Sequence, residues 1–214
     1  MIGVVRFLGT NCDQDVFEAV HQVGLKPKWV WHQDHFDRKD FDALIIPGGF
    51  SYGDYLRCGA LAARSPVMQS VSEAAKAGVP VLGICNGFQI LCEAQLLPGA
   101  LLKNNTLRFK DDWVDLKIVN SNARFGGAGL KKAHLPIAHG EGRYYLEQDQ
   151  VKQLFDDEQV WCVYEKNPNG SLENIAGVMN DKHNVAALMP HPERAMAEFM
   201  GGEDGRRFFE SLLT

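Results

Sequence analysis

The chain has 214 residues, 45% of them hydrophobic and 23% charged, which suits one large globular domain with a full core. A formal net charge of -5, with no block of basic residues, excludes a general attraction to nucleic acid or to an anionic membrane. Five cysteines, at 12, 58, 85, 92 and 162, are odd in number and form no Cys-x-x-Cys pair, which argues against a disulfide framework and a zinc cluster and for a reducing cytoplasm.

In chain order, Ile2 to Leu8 reads as a first strand with Arg6 inside its apolar run. No later stretch approaches the roughly 18 apolar residues of a membrane helix, so neither export nor membrane insertion is expected. From Asp13 to Val23 the residues Val16, Phe17, Val20 and Val23 recur at helical spacing, and Gly24 closes the helix. Lys28 to Trp31 and Ala43 to Ile46 follow as strands, the second running into Pro47-Gly48-Gly49. Helical patterns cover parts of the stretch from Asp54 to Ala77. Apolar runs alternating with helices predict an α/β fold, with an open, mostly parallel twisted sheet and helices on both faces. From about Arg108 short strands take over, with Trp113 to Val119, Val160 to Tyr164, Ile175 to Met179 and Val185 to Met189 as candidates, some of them antiparallel. A helix is expected from about Asp204 to Leu213. No repeat, low-complexity tract or long linker divides the chain, so residues 1–214 read as a single domain.

The richest segment is Gly83-Ile84-Cys85-Asn86-Gly87, between the apolar run Val79-Pro80-Val81-Leu82 and the helical pattern Phe88 to Ala94. It puts a thiol on a tight strand-to-helix turn, a nucleophile elbow, with a helix N-terminus directed at the sulfur. A cysteine merely filling the core is the plainer reading, but it explains neither the flanking glycines nor the helix opening at once behind. A thiolate nucleophile needs a base. Two His-x-Glu segments offer one, His139-Gly140-Glu141 and His191-Pro192-Glu193. Extended backbone sends residues two apart to the same side, and Pro190 and Pro192 enforce it around His191, whereas glycines flank Glu141 and fix nothing. His191 oriented by Glu193 is therefore the preferred base, although either histidine alone would read as a surface loop residue. Attack on a carbonyl creates an oxyanion. The amides of Asn86 and of Gly49, in the glycine-rich turn after the third strand, are placed to hold it.

Together, Gly83 to Gln89, Pro47-Gly48-Gly49 and Pro190-His191-Pro192-Glu193 resemble the class I, or triad-type, glutamine amidotransferases, over nearly the whole chain. Four further segments, Gly9 to Asp13, Gly49 to Arg57, Ile137 to Arg143 and Pro190 to Ala195, resemble the glutaminase subunits of phosphoribosylformylglycinamidine synthase. Leu8 departs from the proline expected in that family's first loop, which bears on local loop shape only. The resemblance implies a flavodoxin-like sheet and hydrolysis of glutamine to glutamate and ammonia through a glutamyl thioester. Carried onto this chain, it makes Cys85, His191 and Glu193 the triad and Gly49 and Asn86 the oxyanion hole. It further implies a substrate pocket lined by Gln89, His139, Gly140, Glu141 and Arg143, where Arg143 suits the substrate carboxylate and Gln89 reads equally well as a helix-surface amide.

The sequence has no Gly-x-x-x-x-Gly-Lys-Ser/Thr loop, and no cofactor or metal is expected in this chain. The resemblance implies that ATP and Mg act on a partner, a large PurL-type synthetase subunit that makes formylglycinamidine ribonucleotide for purine synthesis, joined by a small PurS-type subunit. Arg57, Arg143 and the C-terminal helix are candidates for the docking surface, with a solvated face as the plain alternative. Other readings are a glutaminase subunit serving a different synthetase, a non-catalytic flavodoxin-like binding module, and an α/β-hydrolase. The hydrolase is disfavoured because its acid precedes the histidine in chain order, whereas Glu193 follows His191.

Overall fold

A computed structural model describes residues 1–121, 125 and 129–213. The first half runs β1 (Ile2–Arg6), α1 (Asp13–Gln22), β2 (Pro27–Trp31), β3 (Ala43–Ile46), α2 (Pro66–Lys76), β4 (Val81–Ile84) and α3 (Asn86–Glu93). The second runs β5 (Ala100–Leu102), β6 (Lys110–Ile118), β7 (Lys132–His139), β8 (Arg143–Tyr145), α4 (Gln148–Asp156), β9 (Val160–Tyr164), β10 (Ile175–Met179), β11 (Val185–Leu188) and α5 (Arg206–Glu210).

The short apolar runs become the central strands. Every residue of β3, β4 and β11 is buried, as parallel strands covered on both faces require. The main sheet has nine strands in the order β2-β1-β3-β4-β11-β10-β9-β6-β7. Pairing is parallel from β2 through β11 and antiparallel from β11 to β7. The expected antiparallel strands thus extend the same sheet, and among the described residues only β5 and β8 form a separate pair. Helix α1 packs against β1 and β2, and α3 against β3, β4 and β11. In α1 the buried apolar residues are Val16, Ala19 and Val20, with Phe17 and Val23 partly buried against the core, and Gly24 closes the helix at φ +80°.

Two elements depart from the sequence pattern. β7 is a strand despite Pro136, because it lies at the outer edge of the sheet, where a missing N–H costs no ladder bond. Its alternation buries Ala133, Leu135, Ile137 and His139. The C-terminal helix is shorter than expected, with regular geometry only over Arg206–Glu210. It buries Phe208 and Phe209 completely, and Gly205 ahead of it packs so closely that a methyl group there would lie 1.9 Å from the Pro192 carbonyl oxygen.

Register fixes where chemistry can occur. Ile46 pairs with Gly83, and Ile84 with Leu188, so β3, β4 and β11 end side by side. Their carboxyl ends release Pro47-Gly48-Gly49, Cys85 and Pro190-His191 onto one edge, with the cysteine strand in the middle. Neighbouring strands lie about 4.8 Å apart, so groups far separated along the chain become neighbours there.

Candidate active site

Cys85 occupies the turn between β4 and α3 with φ 50° and ψ -103°, a left-handed conformation that a side chain rarely adopts. The cysteine itself carries the strain. The flanking glycines serve close approach instead: a methyl group on Gly87 would meet the Ile46 carbonyl oxygen at 1.9 Å, and one on Gly83 would meet Leu91 at 2.6 Å. Gly87 thus lets α3 rest directly on the end of β3. The Cys85 amide donates to the Leu188 carbonyl (2.9 Å), which ties the elbow to β11. Asn86, first residue of α3, has an amide with no intrahelical acceptor.

His191 is 1% exposed, and its Nδ1 and Glu193 Oε1 are 2.6 Å apart. The pairing differs in detail from the expected extended backbone, because Pro192–Arg194 form a single 3-10 turn behind His191. His191 itself stays outside helical geometry at φ -107°, ψ 88°, as the following proline demands. The His191 amide donates to the Pro136 carbonyl (2.8 Å), and the Cys85 sulfur lies 3.8 Å from the Ala138 carbonyl oxygen. The outer strand β7 therefore folds back over the ends of the parallel strands and roofs the site. Burial works against a charge on His191. The Glu193 carboxylate and the Cys85 and Cys12 sulfurs outweigh it, raising the imidazole well above its ordinary 6.5. Nε2 of His191 has no hydrogen-bond partner among the described residues.

Gly48 holds the third side of the site. A methyl group on it would lie 2.8 Å from His191 Cε1, 3.2 Å from Cys12 Sγ and 3.4 Å from Cys85 Cβ. Gly49 follows at φ +142°, pinned by a bridge to Thr10. These groups enclose a cleft of about 250 Å³ whose lining includes Gly49, Phe50, Cys85, Phe109, Ala138 and His191. The strained thiol, the buried imidazole–carboxylate pair and the glycine turn thus meet in one concavity, the arrangement needed for thiolate attack on a carbonyl.

None of the five substrate-pocket candidates is among the residues that line this cleft. His139, at the end of β7, is 3% exposed with Nδ1 3.1 Å from Asn104 Oδ1. Burial first, and the charge on His191 second, push it down to about 4, so it is neutral at physiological pH. The Gly140 carbonyl accepts the Asn104 amide (2.9 Å). Gln89 Oε1 accepts from Asn86 Nδ2 (2.8 Å), and its Nε2 donates to the Glu141 carbonyl (2.7 Å). With the Ser51 amide donating to Asn86 Oδ1 (3.2 Å), a continuous chain of bonds links the glycine turn, the elbow helix and the 139–143 loop. The Glu141 side chain faces Asp54 and Cys58, and burial together with these carboxylates drives the Cys58 thiol up. Arg143 opens β8 opposite Leu102.

Three contributors escape a reading of the sequence. Gly48 passes for the first half of a glycine turn. Asn104, fully buried, holds the 139–142 turn through the His139 and Arg108 carbonyls, His139 Nδ1 and the Gly142 amide, yet it sits in a polar stretch without periodicity. Cys12 arrives from the start of α1. Its sulfur accepts from Arg194 Nη2 at 3.0 Å, a contact across 182 positions of sequence.

Comparison with known proteins agrees with this geometry. Residues 1–202 match the CobB/CobQ-like glutamine amidotransferase domain family. A chain of the solved structure of PurLQS from Thermotoga maritima is 46% identical, with a TM-score of 0.91, over 99% of this chain and 96% of that one. A GMP synthase-type protein from Thermoplasma acidophilum is 16% identical with a TM-score of 0.65, over 100% of this chain and 94% of that one. A glutamine amidotransferase from Thermotoga maritima is 17% identical with a TM-score of 0.60, over 91% and 76%. The last two show a shared fold alone.

Proposed function

The chain belongs to the CobB/CobQ-like glutamine amidotransferase domain family, and from that membership we propose that it is the glutaminase subunit of phosphoribosylformylglycinamidine synthase. The likeness over 99% of its length to a chain of the PurLQS structure supports the choice of synthetase. In this reading residues 1–214 form one domain working in the cytoplasm. Among the described residues no helix is long and apolar enough to cross a membrane.

The observation that carries the catalytic reading is the buried His191–Glu193 pair, 2.6 Å apart, beside a cysteine held at φ 50°. Cys85 attacks the side-chain amide carbon of glutamine, and the amides of Gly49 and Asn86 hold the resulting oxyanion. His191, protonated and oriented by Glu193, gives its proton to the departing nitrogen, which leaves as ammonia. The glutamyl thioester remains. His191 then takes a proton from water, the hydroxide adds to the thioester carbon, and glutamate departs with the thiol restored. Gln89, His139, Gly140, Glu141 and Arg143 shape the pocket wall, the first four through the bonded loop that Asn86 and Asn104 brace.

Ammonia released here passes to a large synthetase subunit of the PurL type, which uses ATP and Mg to activate the acceptor amide, with a small PurS-type subunit completing the complex. A closed path keeps the ammonia unprotonated and locally concentrated. Reconstitution with the synthetase subunits tests the proposal. Cys85→Ala is expected to lower glutamine-dependent product formation by at least about 10⁴-fold while ammonia-dependent formation persists. Equal loss of both activities, or a glutamine affinity label found by mass spectrometry on a residue other than Cys85, would overturn it.

A further inference from the structure

The hydrolysis leaves Arg194 and Cys12 without a task, although both line the catalytic cleft. Arg194 ends the 3-10 turn that begins behind His191, and α1 packs against that turn. Its Nη2 donates to Cys12 Sγ (3.0 Å), and its Nε lies 3.7 Å from Asp15 Oδ2. Cys12 is itself held from both ends: its amide donates to the Gly48 carbonyl (3.3 Å), and its carbonyl accepts from the Val16 amide (3.1 Å) in the first turn of α1. The thiol proton points toward Asn11 Oδ1, 3.6 Å from the sulfur, which leaves a sulfur lone pair for the guanidinium. We propose that Arg194, acting through Cys12 and Asp15, is a positioning residue that seats the His191–Glu193 turn against α1 for proton transfer.

The turn needs such a seat. Pro190 and Pro192 fix its shape, but neither has an N–H with which to bind a neighbour. At its start the His191 amide donates to the Pro136 carbonyl of β7 (2.8 Å), while the Arg194 and Ala195 amides bond locally, to the His191 (3.2 Å) and Pro192 (3.0 Å) carbonyls. The guanidinium supplies a tie to α1. That tie lies beside the reacting groups, since Cys12 Sγ, a ring nitrogen of His191 and a carboxylate oxygen of Glu193 are all within 4.8 Å of one another. Cys12 is 2% exposed, so water does not compete for the sulfur as it does for a surface ion pair. Burial opposes the charge on Arg194, and the Cys12 sulfur with the Glu193 and Asp15 carboxylates outweighs it. Arginine's planar fork reaches sulfur and carboxylate together, which the single ammonium of a lysine cannot.

The effect on turnover rests on the glutaminase reading, while the clamp itself does not. Proton NMR of the chain alone tests the clamp directly. The proton between His191 Nδ1 and Glu193 Oε1, which are 2.6 Å apart, resonates far downfield of the amides and is assigned by its disappearance in Glu193→Gln. We expect Arg194→Met to shift it upfield and to speed its exchange with water. Cys12→Ala does the same to a smaller extent, and Cys12→Ser, whose hydroxyl also donates and accepts, restores the signal. In the reconstituted complex Arg194→Met lowers kcat about 10²-fold, the effect of an ångström-scale misplacement, with KM changed less than about twofold. Cys12→Ala lowers kcat about tenfold, the weight of one bond to a charged group, and Arg194→Lys falls between the native chain and Arg194→Met. If Arg194→Met fails to fold by circular dichroism, Arg194→Lys and Cys12→Ala decide by the same two readouts. A native kcat, an unmoved resonance, or a loss carried by KM with kcat intact would overturn the proposal, the last by putting the guanidinium on the substrate. A chain without glutaminase activity whose resonance still moves in these variants keeps the clamp and loses only the hydrolase reading.

Discussion

The parallel and antiparallel halves of the sheet hold their loops by different means. At the ends of β3, β4 and β11 the backbone does the placing: Cys85 at φ 50°, Gly87 against the Ile46 carbonyl, and His191 fixed between prolines. In the antiparallel half, side-chain amides do it. Asn104 grips the 139–142 turn, and Asn169 Nδ2 donates to the Gly142 carbonyl (2.8 Å). Backbone placement is stiff and suits reacting atoms that must meet within a fraction of an ångström. Amide placement spreads over many weaker bonds, none of which fixes the turn alone.

Glu193→Gln is the strongest way to break this comparison. The prolines remain and still aim His191, but the carboxylate that outweighs burial of the imidazolium is gone. Turnover is expected to fall roughly 10³- to 10⁴-fold with little change in KM, measured by glutamate release in the reconstituted complex. A loss below tenfold would mean that backbone placement alone suffices and that charge on His191 is incidental. Gly48→Ala attacks the other side. With 2.8 Å to His191 Cε1 and 3.2 Å to Cys12 Sγ, the added methyl must push the ring or the sulfur aside. The expected cost is about 10²-fold in turnover, the effect of an ångström-scale misplacement, with roughly 1–3 kcal/mol of stability lost in urea unfolding. If activity survives, the stiffness ascribed to this half is wrong.

That division also explains what the sequence discloses. Cys85, His191, Glu193 and Gly49 sit at the ends of strands whose apolar runs are written locally, between residues with strong backbone preferences. Glycine and proline announce such geometry in the string itself. β7 is hidden because Pro136 argues against a strand unless its edge position is known, and edge position is a property of the whole sheet. Asn104 is hidden more deeply. Its partners at His139 and Gly142 lie 35 and 38 residues away, and one asparagine in a polar stretch looks like any other. The same holds for Cys12, whose surroundings are made by Gly48 after β3 and by His191 and Arg194 in the turn after β11. The 139–143 loop is legible as a motif, but its attachment through Gln89 and Asn86 exists only once the fold has brought the two segments together.

The two buried histidines sharpen the contrast through pH. His139, in the antiparallel half, is pushed down to about 4 by burial and by the charge on His191. The unfolded chain therefore binds more protons than the folded one below about 6.5, and stability is lost as pH falls from there toward 4. A shift from 6.5 to about 4 corresponds to about 3 kcal/mol at most. His191 has the opposite sign. Raised well above 6.5, it contributes stabilisation that is complete below 6.5 and is lost as pH climbs through its folded value. Urea unfolding against pH should show both limbs, with His139→Asn flattening the acid limb and Glu193→Gln removing the alkaline limb while shrinking the acid limb only slightly, because burial outranks the charge on His191 in holding His139 down. A single variant that removes both would show one coupled unit in place of two regions.

The smallest effect is expected where a side-chain link joins two parts of the parallel half. Arg57, in the loop beyond β3, makes two 2.5 Å bonds to Glu93, the last residue of α3. A carboxylate there faces the negative end of the helix dipole, so the guanidinium offsets a local repulsion. Yet Arg57 is 66% exposed, and solvent screens the pair. Arg57→Ala should cost the isolated chain less than about 1 kcal/mol, shrinking further at high salt. Glutaminase turnover should change less than twofold, because α3 is fixed by Gly87 and the Cys85 amide and not by its far end. A weaker grip on the synthetase, measured alongside an unchanged melting temperature, would then assign the exposed guanidinium to docking. A loss of several kcal/mol in the isolated chain would instead show that this half, too, depends on side-chain links to hold its shape.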